Sequence, residues 1–398
     1  MVALALSHAV ALAVAAQPAG PPPAPVVSTP APHEISFGRV AGTVGAGTDR
    51  VSVLVDGRTF AETEVTGRRF DLRVAIPARD VRVRVVAHDF WGRRRGTSVA
   101  PVFGLPAAAA PREASGFVDE ELARRVDRLV GAFDGTSAVY VEDLVTGAGA
   151  AWNARARFPA ASTVKVAIAI EVLRRTDEPA AESSLSGLVE AMLVHSDNEA
   201  SNELLAWLGG SVEGGAAEVN AFLASLELAD SHLYGGFLPA ASSGPPIPLE
   251  IESSPVLEIE KYTTAWDLAQ LHRFLHLASG GLGPLPDLPG SFTPSDARYL
   301  VYTLAHSADH GKLDRHLGDG RAVVPHKAGW IEDARHDAGL VYAPGGVFVV
   351  VVMTWNPNGV YDPSDELAGD VALAALERLE ELRSTASAPA STSLPLRL

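Results

Sequence analysis

The chain has 398 residues, of which 47% are hydrophobic and 20% charged, with a net charge of −16 and no cysteine. This is a globular composition with room for two or three domains; it excludes disulfides, thiolate metal ligands, a thiol nucleophile and a lipidated-cysteine anchor. The acidic balance disfavours nonspecific nucleic-acid binding, the histidines show no HExxH-type spacing, and neither metal nor cofactor is expected.

Residues 1–16 (MVALALSHAVALAVAA) read as a signal peptide. The apolar run has the length of an h-region and small residues precede Gln17, although the basic start is missing. Ser7 and His8 cut the run below the ~20 residues a membrane span needs, so export to an extracellular, periplasmic or cell-wall location is expected. Residues 17–32 (QPAGPPPAPVVSTPAP) read as an extended linker.

Residues 33–104 alternate apolar and polar in RVSVLVDG, FDLRVAI and VRVRVVAHDF, with VDG and DFWG as turns. Short strands at regular spacing predict a small all-β sandwich of immunoglobulin-like type. Residues 33–103 hold 12 Arg and 8 acids, a net of +4, which leaves −20 for residues 104–398. Those arginines fit a solvated strand face or a face for an anionic partner such as a cell-wall polymer.

After a second linker at 105–116, the period changes. VDEELARRVDRLVGAF (118–133) is an amphipathic helix, and SAVYVEDLVTGAGAAWN (137–153) is a strand pair around a TG turn. Near the end, DAGLVYAP and VFVVVVMTW are strands and DELAGDVALAALERLEELR (365–383) is a closing helix. Residues 117–384 are thus expected to form one α/β (α+β) domain, a sheet with flanking helices and a helical insert. Residues 385–398 have the composition of a disordered tail, and a monomer is expected.

Only four of the 32 basic residues are lysines: Lys165, Lys261, Lys312 and Lys327. Lysine, unlike arginine, gives up its proton when desolvated. Ser162 lies three positions before Lys165 in FPAASTVKVAIAI, which places both on one face of an incipient helix. The alanines and valines around Lys165 would desolvate its ammonium and favour an amine able to take the serine proton. Alone, Ser162 reads equally as an N-cap. Ser196-Asp197-Asn198 has the same ambiguity before the next helix, and Lys327-Ala328-Gly329 sits on a strand edge where a glycine admits close approach.

Together and in this order the three elements resemble the S-x-x-K, S-D-N and K-T/S-G signature of class A serine β-lactamases and penicillin-binding proteins. The likeness extends over roughly Val118 to Arg383 and implies a β-lactamase/transpeptidase-like catalytic domain. It further implies Ser162 as nucleophile, Lys165 as base, Ser196 as proton relay, Asn198 and Lys327 as substrate contacts, and the backbone N–H groups of Ser162 and Trp330 as oxyanion donors. The substrate would be a β-lactam or a peptidoglycan-like acyl group.

Two places depart from the pattern. Ala328 replaces the Thr or Ser whose hydroxyl helps hold a substrate carboxylate, with Asp333, Arg335 or His336 as compensating candidates. The family's Glu-x-x-Leu-Asn deacylation element is absent from the long segment before Thr263-Thr264, where Glu250 falls nearest the expected place among Glu252, Glu258 and Glu260. β-Lactam hydrolysis is therefore the first expectation, a D,D-peptidase or esterase the second, and a non-catalytic cell-wall binder the alternative of another class.

Overall fold

The structure, a computed structural model, describes residues 20–237, 261–318 and 320–387. The N-terminal region is all-β, with strands β1 (Val26–Thr29), β2 (Glu34–Ser36), β3 (Arg39–Thr43), β4 (Arg50–Val55), β5 (Arg58–Glu64), β6 (Arg69–Arg73), β7 (Asp80–His88) and β8 (Arg94–Gly104). They form two sheets, ordered β1-β3-β6 and β2-β8-β7-β4-β5. Alternation explains the pairing: Val51, Val53, Val55, Val81, Val83 and Val85 recur every second residue and all enter one buried cluster. Arg82 and Arg84 between them are exposed.

One boundary moves. Residues 26–29 lie inside the stretch read as linker, yet they form β1, which pairs antiparallel with β3. The neighbouring prolines dominated the composition, while the Val-Val-Ser-Thr run between them had the β-branched content of an edge strand. The 105–116 connection is likewise packed down, with Leu105 and Ala109 in the large core.

The second region contains β9 (Phe117–Val118), α1 (Glu120–Ala132), β10 (Thr136–Asp143), β11 (Ala148–Trp152), β12 (Phe158–Pro159), α2 (Lys165–Arg174), α3 (Ser186–Val194), α4 (Asn198–Gly209) and α5 (Val212–Ser225). It continues through β13 (His232–Leu233), β14 (Lys261–Thr263), α6 (Ala265–Ala278), α7 (Pro294–Ala305), β15 (His326–Trp330), β16 (Ala334–Ala343), β17 (Gly346–Trp355) and α8 (Asp362–Ser387). Six strands make the main sheet in the order β15-β16-β17-β10-β11-β9. Strand β17 shows why its sequence is apolar throughout. Val349, Val351 and Met353 belong to the core shared with α2 and α6, whereas Phe348, Val350 and Val352 belong to the core shared with α1 and α8. A strand covered on both faces has no solvent side to alternate toward.

The two regions are joined through β2. Ile35 enters the second region's core. Beside it the Glu34 carboxylate, with its side chain 2% exposed, receives Arg298 Nε at 2.8 Å. Removing one partner of a buried pair strands the other charge. Glu34→Gln should therefore lower the urea midpoint by an amount equivalent to about 3–5 kcal/mol; an unchanged midpoint would show that the junction draws nothing from this pair.

Candidate active site

The site is assembled where α2, the α3–α4 turn and β15 meet. Ala161 adopts φ 47°, an uncommon left-handed backbone for alanine, and turns the chain sharply into Ser162. Thr163 Oγ1 donates to Ala160 O at 2.6 Å and Lys165 N to Ser162 O at 3.2 Å, closing the turn. Ser162 thus stands on the turn just ahead of α2, which begins at Lys165 with Val164 in the cap position, so it lies at the helix start as the sequence indicated without being the cap itself. Ser162 remains partly accessible while Lys165 is fully buried.

Lys165 Nζ donates to Ser196 O and Asn198 Oδ1, each at 2.7 Å, to Asp197 O at 3.3 Å and to Ser196 Oγ at 3.4 Å. The S-D-N turn is shaped for this. Ser196 has φ 56°, and Asp197 caps α4 by accepting from Ala200 N at 2.7 Å, so Asn198 leads the helix. Burial lowers the Lys165 pKa to about 7, the positive charges of Lys327 and Lys261 push the same way, and Asp197 opposes them. An amine with such a pKa is neutral in part of its population at neutral pH and can accept a proton.

Strand β15 closes the other side. A methyl built on Gly329 would stand 2.6 Å from Ser162 N and 2.9 Å from Thr163 N, so the close approach this glycine permits is that of the Ser162 turn itself. Trp330 follows at the strand end and is 63% exposed. Lys327 is buried and donates to Ala328 O at 2.8 Å. Burial lowers its pKa to about 8; Asp309 and Asp337 resist that shift and Lys312 adds to it. Directly before it, His326 Nδ1 pairs with Asp337 at 2.8 Å; burial opposes protonation of this ring, and the Asp337 carboxylate outweighs it, raising the pKa.

The compensating candidates for Ala328 are engaged elsewhere. Arg335 is clamped by both oxygens of Asp365 at 2.6 Å, a bidentate pair that leaves its fork occupied. His336 Nε2 meets Pro159 O at 2.6 Å, and Asp333 accepts from Trp355 Nε1 at 3.0 Å. Arg335, expected as a substrate contact, is held here in an ion pair with Asp365. Glu250 and the acids near it lie outside the described residues, as do residues 1–16.

Sequence reasoning followed two lysines and missed the other two. Lys261 Nζ lies 3.6 Å from the Phe237 ring centroid and Lys165 Nζ 4.8 Å from the same centroid, so two ammonium groups share one aromatic ring. Lys312 is buried, pairs with the half-buried Asp309 and acts on Lys327. The rarity of lysine was the available signal, and it applied to all four. Outside these residues, His316, Glu366 and Asp370 bring ligand atoms within 4.8 Å of one another, but Arg315 Nε holds Glu366 at 2.7 Å, making this a surface ion-pair network.

The mixed sheet, its covering helices and the order of the three motifs define a β-lactamase/transpeptidase-like α/β domain. A model of the beta-lactamase enzyme family matches residues 121–183 and 177–379, and the chain belongs to that family. No curated protein matches it. Among solved structures it is similar to PBP-A (23% identity, TM-score 0.52, 67% of this chain and 98% of that one). It is also similar to a β-lactamase from Sphaerobacter thermophilus (23%, 0.50, 66% and 97%) and to an ancestral class A β-lactamase (23%, 0.51, 65% and 99%). These likenesses concern the fold. Among the described residues no helix is long and apolar enough to cross a membrane.

Proposed function

We propose that the protein is an exported, monomeric serine hydrolase that opens β-lactams through an acyl-enzyme on Ser162. The observation that carries this reading is the position of Lys165, buried beneath the Ser162 turn and held by Ser196 and Asn198 at 2.7 Å. In the reaction, Ser162 Oγ attacks the lactam carbonyl while its proton passes to neutral Lys165. The N–H groups of Ser162 and Trp330 receive the developing oxyanion. The C–N bond then breaks, the departing nitrogen takes a proton relayed by Ser196, and water releases the acyl group. Asn198 contacts the substrate amide and Lys327 attracts its carboxylate. The acyl-enzyme complex of a PBP-A variant with penicillin G supports β-lactam acylation as chemistry compatible with this fold.

The test is intact-protein mass spectrometry during reaction with a penicillin. A transient adduct accompanied by catalytic product is the expected result. A permanent adduct would place the protein with penicillin-binding peptidases, and the absence of any adduct would overturn the β-lactam reading.

Two lysine pKa values give a pH profile. Below about 7 Lys165 holds its proton and cannot act as base, so acylation falls as pH falls. Above about 8 Lys327 loses the charge that attracts the carboxylate, so acylation falls again. Plotting kcat/KM for a penicillin against pH should give a bell with limbs near those values, belonging to the coupled pair; a flat profile from pH 6 to 9 would contradict both roles.

A second reading has its own support. With Ala328 lacking a hydroxyl and Arg335 tied to Asp365, a substrate carboxylate finds few donors, which favours an ester without one. Ala328→Thr is expected to raise kcat/KM for a penicillin roughly tenfold, the value of one hydrogen bond to a charged group. No gain would favour the ester.

A further inference from the structure

The outer face of the β8-β7-β4 part of the sandwich carries a groove of about 930 Å³. Arg82, Arg84, Arg94 and Arg95 line it, above a floor that includes Leu54 and Val86. Gly96 makes room for the arrangement: a methyl there would meet Arg84 Nε at 2.9 Å. Some exposed arginines of the sandwich find acids, as in Arg39–Asp71, Arg50–Glu62 and Arg79–Asp56, whereas Arg58, Arg68, Arg69 and Arg73 are exposed singly and do not line the groove. The four groove arginines form no ion pair among the described residues. The two acids at the groove's end are already held, Asp56 by Arg79 and by the Arg82 N–H at 2.9 Å, and Asp80 by the Tyr302 hydroxyl at 3.1 Å.

Four like charges on adjacent strands repel one another, and their guanidinium forks suit phosphate oxygens. Arg82 and Arg84, two residues apart on one strand face, stand roughly 7 Å from each other, so the charges are strung along the sheet instead of converging on one point. We propose that this groove binds a linear polyanion, a phosphodiester-linked chain of the cell-wall polymer kind, with successive phosphates on the arginines and the uncharged links on the apolar floor. The net charge of −20 over residues 104–398 confines attraction for such a chain to the sandwich. This inference does not rest on the acyl-transfer reading, because binding is measured with nothing in the Ser162 site.

The full chain is titrated with poly(glycerol phosphate) in isothermal calorimetry at several salt concentrations. Binding that weakens steeply with salt is expected. The variant Arg82→Gln, Arg84→Gln, Arg94→Gln, Arg95→Gln should lose about 10- to 100-fold in affinity. Replacing Arg39, Arg68, Arg69 and Arg73 by Gln removes the same charge from the β3-β6 sheet, which does not line the groove, and should leave affinity within about threefold. Equal losses in the two variants would reduce the effect to net charge and overturn the proposal, as would no binding at all. Tighter binding to anionic phospholipid vesicles, with exposed Phe90 and Trp91 as the inserting side chains, would replace the polymer by a membrane surface.

Discussion

Replacing Ser162 with alanine is expected to abolish the covalent adduct and lower the acyl-transfer rate by about 10⁴- to 10⁶-fold, the cost of losing a serine nucleophile in comparable enzymes. The fold should be untouched. The turn that carries Ser162 is held by Thr163 Oγ1 on Ala160 O and by Lys165 N on Ser162 O, neither of which uses the serine hydroxyl. Lys165 also keeps its partners, since its bonds run to the S-D-N turn. Intact mass after exposure to a penicillin, beside a thermal melt, separates chemistry from folding. An adduct that persists in Ser162→Ala would move the nucleophile to another hydroxyl, with Ser196 the first to examine.

Gly329→Ala is expected to cost about 10²- to 10³-fold in the same rate, comparable with the loss of one oxyanion donor. The added methyl would meet backbone atoms, Ser162 N at 2.6 Å and Thr163 N at 2.9 Å, and backbone cannot rotate out of the way as a long side chain can. Either β15 or the Ser162 turn must shift, and each carries one of the two N–H groups proposed for the oxyanion. Overpacking adds about 1–3 kcal/mol of instability, so the rate is read well below the variant's melting temperature. A folded Gly329→Ala protein with wild-type acylation would remove β15 from the oxyanion site.

Much of this architecture was legible because its signals are local. Period-two valines in β4 and β7 marked the sandwich, and the apolar run of β17 marked a strand, whose burial on both faces the packing then showed. Asp197 before Asn198 could be read as a cap, and it is one. The failures were non-local. Strand β1 exists because β3 supplies its ladder partner across a turn, and the prolines around it concealed that. Arg335 looked available because its partner Asp365 arrives from the next helix. Phe237 carries no motif at all; it matters because Lys165 and Lys261 converge on its ring.

The sequence by itself determined which groups are present and in what order: Ser162 with Lys165, Ser196 with Asn198, and Lys327 with Gly329. It also determined that lysine was rare enough to be informative. Only the tertiary structure decided the charge state of Lys165. Its pKa depends on how completely the fold removes water from Nζ and on its through-space separation from Lys261 and Lys327. Those residues come from β14 and β15, distant in sequence, and no spacing along a chain encodes the distance between two ammonium groups after the strands have packed.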